Sequence, residues 1–336
     1  MSLIPRMFKS TDPGAPALTG QVGSLINLLR AVLVTGYGSA PDVVAGAGWT
    51  EAFTGTNKAV FRNNPTTGTG GYLRIDDGAT VAGSNARYAL WRLYETMSDV
   101  DTGTGETPTV AQAAAGGLLL KSSTLNATAR AWVILACERF FYLLVDLGNT
   151  GSGWTAVASF PAFFGDIISR KPGDNYNFAG FSAASGSTYS GSGNYSGAFI
   201  GTLISAGSTL GGYLLREYTQ TTASKTFGLA ALSDGYTSGF LGATGTYPDQ
   251  ISGGIAIERI AVMEGNRLVR GYLPNIYGSI NGRAFADMTT RTDLEGLPAD
   301  TVLLAKRVSQ SGPMTAATGN FDGMVLFDIS NEWAEL

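Results

Sequence analysis

A chain of 336 residues is long enough for one large all-β domain or two of ordinary size, each with its own core. Only 14% of residues are charged, against about 25% in typical domains, and Gly fills 46 positions, so Gly, Ser, Thr, Asn and Ala must make much of the surface. A net charge of −4 without a basic run argues against nucleic-acid binding, the absence of His removes Ser-His-Asp and Cys-His catalysis, and a single Cys removes an internal disulfide or a zinc cluster.

The opening MSLIPRMFKSTDPG has no apolar signal region, and no stretch reaches the roughly 18 apolar residues of a membrane span, so synthesis in a cytoplasm is expected. TDPGAPA reads as an extended arm stiffened by Pro13 and Pro16. LTGQVGSLINLLRAVLVTGYG places Leu18, Val22, Leu25, Ile26, Leu29, Val32 and Leu33 at helical spacing, and Leu28 widens that face. Thr19 is the expected N-cap, and Gly36 or Gly38 the expected stop. This one amphipathic helix should pack on a sheet or on a neighbouring subunit.

The pattern then changes to strands and turns. GWTEAFTGTNKAVFRN predicts two short strands around a Gly-Thr-Asn turn, and GGYLRIDDG a strand ending at Asp76 and Asp77. ARYALWRLYETM has a length that permits a helix, but its aromatic content favours a strand. ARAWVILACERFFYLLVDLG is too long for one strand and predicts a hairpin turning near Glu138. Its near-continuous apolar arms suggest a sheet covered on both faces. Cys137 lies in this context and is expected to be a buried, inert thiol. From Asn175 to Leu215 there is no Asp, Glu, Lys or Arg. This segment reads as a flexible linker or as wide loops between short strands, and the recurring Phe178, Phe181, Phe199, Ile200, Leu203 and Ile204 favour the loops. IAIERIAVME, RLVRGYLPNIYG, DTVLLAKRV and GMVLFDI predict four more strands, the first two joined by a turn at Glu264–Arg267.

The fold class expected is therefore mainly β, with β-sandwich or jelly-roll-like sheets, an N-terminal arm and one amphipathic helix. The division expected is an arm and helix over 1–38, a β-sandwich-like domain over 39–170, and a second β-rich domain or a continuation of the sandwich over 171–336. The proposed boundary is RKPGDNYN, where charge, Pro and Gly cluster.

The remaining chemistry is that of carboxylates. YETMSDVDTGTGETPT brings Asp99, Asp101 and Glu106 close in sequence. Three readings apply: a calcium loop of oxygen ligands, a catalytic pair of the glycosidase kind, or a structural turn whose Asp side chains bond nearby amides. The turn is favoured, because DVDTGTGE has no Asp or Asn at the third EF-hand ligand position and no closing bidentate Glu. RIDDG receives the same reading. Of Trp49, Trp91, Trp132, Trp154 and Trp333, only Trp154, in NTGSGWTA, has an exposed context, which makes it the candidate platform for a sugar. No catalytic residue and no cofactor is expected.

GAPALTGQVGSLINLLRAVLVTGYG, GWTEAFTGTNKAVFR, YLRIDD, YETMSDVDTGTGETPT and RGYLPNIYGSI occur in this order, most densely from residue 14 to 109. Together they resemble a family of virion-associated structural proteins of tailed bacteriophages. The resemblance implies a non-enzymatic virion component made in the host cytoplasm and assembled with copies of itself and other virion proteins. A tail, baseplate or head–tail position is expected first and capsid decoration second. Binding of a host-surface glycan is a further candidate role. No catalytic residue is carried over. An arm over residues 1–17 is expected to reach a neighbouring subunit, so that its removal leaves the fold intact. The sparse charge and abundant small residues agree with close packing of copies.

Overall fold

The structure, a computed structural model, describes residues 4–78, 88–147, 159–182, 184–185, 212–220, 223–230, 257–264, 268–279, 286–292, 297–308 and 323–330. It is mainly β, with antiparallel sheets and one short helical element. A six-stranded sheet contains β2 (Thr50–Gly55), β3 (Lys58–Arg62), β4 (Tyr72–Asp76), β5 (Tyr88–Tyr94), β8 (Gly117–Leu120) and β14 (Ala184–Ser185), in the order β14-β8-β5-β4-β3-β2. β6 (Thr96–Asp99) and β7 (Thr102–Thr104) form a separate hairpin.

A larger sheet begins with β1 (Arg6–Lys9), β9 (Trp132–Ala136), β10 (Phe140–Asp146), β11 (Ser159–Asp166), β13 (Phe178–Phe181) and β15 (Gly212–Arg216). It continues through β16 (Ala223–Ala230), β17 (Ile257–Glu264), β18 (Val269–Ser279), β21 (Gly323–Asp328), β20 (Leu303–Val308) and β19 (Thr289–Arg291). The short β12 (Ile168–Ser169) prolongs the path of β11 and pairs with the first half of β18, which turns the sheet back on itself. Pro274 and Asn275, the latter at φ 52, sit in the middle of β18. The first half of β18 pairs with β12, and the second half pairs with β21. Strands on both sides of residue 170 belong to this one sheet.

The hairpin expected near Glu138 is present, and its arms show why their sequence is apolar throughout. Trp132, Ile134, Ala136, Phe141, Leu143 and Val145 enter one core, shared with the helix and the six-stranded sheet. Val133, Leu135, Cys137, Phe140, Tyr142 and Leu144 enter a second core, shared with β17, β18, β20 and β21. Alternation of period two thus sends neighbouring residues into different cores, and neither face meets water. The paired strands expected around Thr56–Asn57, the strand at Tyr72–Asp76, and the β assignment of ARYALWRLYETM also hold. β17 and β18 pair antiparallel, although the turn residues 265–267 lie outside the described residues. Phe178 and Phe181 lie on a strand, whereas Phe199, Ile200, Leu203 and Ile204 fall outside the described residues.

Four details of the N-terminal region correct the sequence reading. The α-helix α1 spans only Ser24–Leu29, because Gly23 before it is left-handed at φ 82. It continues as a wider π-helical turn over Arg30–Thr35, with the Gly36 N–H reaching back to the Ala31 carbonyl at 2.8 Å. Thr19 is not its cap: the Thr19 hydroxyl accepts the Gln21 N–H at 3.1 Å within the preceding turn. Val22, expected on the apolar face, is 48% exposed. Gly36 does end the helical run, at φ 81. The arm, finally, lies on its own chain. Its residues 6–9 form β1, Phe8 is 1% exposed, and the Trp132 indole donates to the Pro16 carbonyl at 3.0 Å. Removing residues 1–17 would therefore strip an edge strand from the sheet instead of sparing the fold.

Candidate functional site: a groove between two sheet edges and the carboxylate hairpin

β1 and β19 are the two ends of the large sheet, and both line a groove of about 590 Å³. One wall comes from Met7 and Lys9, the other from Met288, Thr289 and Thr290, and Trp132 contributes to the lining. The volume falls within the range of small-ligand sites. Its one carboxylate, that of Asp287, already has a protein partner. Asp287 accepts the fully buried Lys306 ammonium with both oxygens, at 3.0 and 2.7 Å. The outward N–H of Lys9 donates to Asp12 Oδ2 at 2.9 Å, and the Asp12 N–H returns to the Lys9 carbonyl at 3.0 Å. That turn blunts the β1 edge against pairing with another strand.

The three candidate carboxylates face three different partners. Asp99 Oδ1 accepts the Val100 N–H at 2.6 Å, which is the local turn bonding expected of it. Asp101 reaches across to β3 and β4, where Lys58 donates to both its oxygens at 3.0 and 2.9 Å and Arg74 to one. The bonds from Lys58 are the main cause holding the Asp101 carboxyl below its ordinary value. Glu106 accepts the Val110 N–H at 3.3 Å and lies 3.7 Å from the Arg92 guanidinium. The arrangement can brace the hairpin on the six-stranded sheet. Among the described residues no group of three or more His, Cys, Asp and Glu is placed to hold a metal.

The Asp101→Asn variant is expected to cost less than about 1 kcal/mol, because the Asp101 side chain is 51% exposed and its ion pairs are screened by solvent. A depressed folded pKa means that the contribution exists above 3.8 and disappears as pH falls through the lower folded value. Urea melts of the variant and the parent should differ slightly at neutral pH and converge in strong acid. Adding calcium should shift neither melt. A calcium-dependent rise reversed by chelator would restore the metal reading.

Trp154 and Trp333 lie outside the described residues. Trp49, Trp91 and Trp132 are core residues, each at most 3% exposed. Cys137 is buried, and burial pushes its thiol up to about 11, as an inert cysteine requires.

Of the notable buried charges, the sequence marks only Asp77, and only as a turn residue. Asp166 accepts Asn63 Nδ2 at 2.9 Å, Thr69 N–H at 3.1 Å, Thr69 Oγ1 at 2.6 Å and Arg139 Nε at 3.2 Å, tying the 63–71 loop to the large sheet. Burial raises its pKa despite these donors. Arg270 sits between Asp174 and Glu264 in the interior. Asp77, read as a turn residue, is 1% exposed and pairs with Lys121. The available signal was a cation or carboxylate ending an apolar run, as in GGLLLK and YLRIDD. No protein-family model matches the chain, and no curated protein is significantly similar to it.

Proposed function

We propose that this chain is a non-enzymatic structural subunit of a tailed-phage virion, placed in the tail, baseplate or head–tail region and acting as one of several copies. The observation that carries this reading is the ordered run of motifs from residue 14 to 109, supported by how those motifs fold. They supply the end of the arm, the helix and the strands β2, β3 and β4 of the six-stranded sheet. Their charged side chains serve as internal braces: Arg30 on Glu51, Asp101 on Lys58 and Arg74, and Glu95 on Arg216. The sparse charge and abundant small residues suit close packing between copies.

The test is labelling of this protein on intact particles, read by electron microscopy. Label at the tail tip or neck is the expected result. Label spread over the head would make the protein a capsid decoration instead. Particles free of label would overturn the virion assignment altogether.

A further inference from the structure

Lys121 follows the apolar strand β8, and Asp77 follows β4; both side chains are completely shielded from solvent. β8 and β4 are the two neighbours of β5, so the pair meets across the start of that strand. The Lys121 amine donates to Asp77 Oδ1, to the Gln21 carbonyl at 2.6 Å and to Ser24 Oγ at 3.2 Å. The other oxygen, Asp77 Oδ2, accepts the Leu25 N–H at 3.0 Å. One oxygen thus faces the amine while a fixed backbone amide holds the other. Gln21, Ser24 and Leu25 fix both partners from the segment that enters helix α1.

An ion pair so enclosed is a poor use of two charges, because desolvation offsets most of their attraction. The geometry points to a covalent outcome: an intramolecular isopeptide bond between Lys121 Nζ and Asp77 Cγ, formed after folding with release of one water. A proton first passes from the ammonium to Asp77 Oδ1, leaving a neutral amine beside a carboxylic acid. The nitrogen lone pair attacks Cγ, and the C–N bond forms. The negative charge that develops on Oδ2 meets the Leu25 N–H, a preorganised donor. A second nitrogen proton then moves to the Oδ1 hydroxyl, the C–O bond breaks, and water leaves. The step needs no oxidant, reductant or co-reactant, and fixed proximity supplies what dilute amines and acids lack. Burial pushes the Asp77 carboxyl up and the Lys121 ammonium down, each towards the uncharged form that reacts. The product places a neutral amide where two charges stood, and its carbonyl keeps the Leu25 hydrogen bond. It also ties β4 to β8 around β5 and closes the chain from 77 to 121 into a ring, a device suited to resisting unfolding.

Intact-mass measurement of the full-length chain, denatured, decides the matter without any variant. The expected mass is one water below that of the sequence. Tryptic mapping must then show no cleavage after Lys121 and one branched product containing Asp77. A mass equal to that of the sequence overturns the bond. So does a lost water confined to a linear peptide, since Asp77–Gly78 can also dehydrate by cyclising on its own backbone. Lys121→Met, if it folds, should return the protein to its full sequence mass.

Discussion

Trp91→Ala is expected to lower stability by about 3–5 kcal/mol, the range for removing a large aromatic residue from a core. Trp91 lies in β5 and is fully buried at the contact between the six-stranded and large sheets. Its ring meets Phe164 edge-on at 5.1 Å and Tyr213 at 6.1 Å, and its indole N–H donates to Ser182 Oγ at 2.8 Å. Truncation leaves a cavity at this contact and strands the Ser182 hydroxyl. Two glycines admit the ring. A Cβ on Gly117 would collide with the indole, and one on Gly180 would lie 2.8 Å from Trp91 Cζ3. Gly180→Ala should therefore be costly in the parent and cheaper beside Trp91→Ala, a coupling that a double-mutant cycle reads directly. Chemical denaturation of the four proteins gives the result. A cost under about 1 kcal/mol for Trp91→Ala would mean that the indole is not what joins the sheets.

Arg270→Ala carries an effect of similar size for a different reason. The guanidinium is fully buried, 2.6 Å from Asp174 Oδ2 and 3.5 Å from Glu264 Oε1, and both carboxylates are themselves 2% exposed. Removing the cation leaves negative charge in the interior with its main counter-charge gone, which costs about 3–5 kcal/mol. The contact joins β18 to the turn after β12, where the large sheet turns back on itself, so the loss should fall on that closure. Hydrogen exchange should increase first at the β12–β18 pairing. Arg270→Met combined with Asp174→Asn and Glu264→Gln should recover part of the loss, because it removes the charges together. If Arg270→Ala melts with the parent, the buried cation has no structural role.

Strand existence and burial were legible because they rest on local periodicity. ARAWVILACERFFYLLVDLG must be two strands buried on both faces, and it is, with alternate residues entering two separate cores. Aromatic content in ARYALWRLYETM likewise selected a strand. The helix was legible in its apolar spacing but not in its start, because Leu18 and Val22 fit the period while Gly23 adopts a left-handed turn. Of the carboxylates, Asp99 behaves as its neighbours dictate. The partners of Asp101, Asp77 and Asp166, and the Asp174 that faces Arg270, were not legible, since each lies tens of residues away. Asp77 finds Lys121 only because β4 and β8 flank the same strand, and Asp166 finds Asn63 only because the 63–71 loop lies against β11. The sequence by itself determined the mainly β class, the two-sided burial and the scarcity of acid–base chemistry. The tertiary structure decided which charges meet in the dry interior, because a hydrophobic pattern sets which face a residue occupies while only the packing of distant segments sets what stands opposite it.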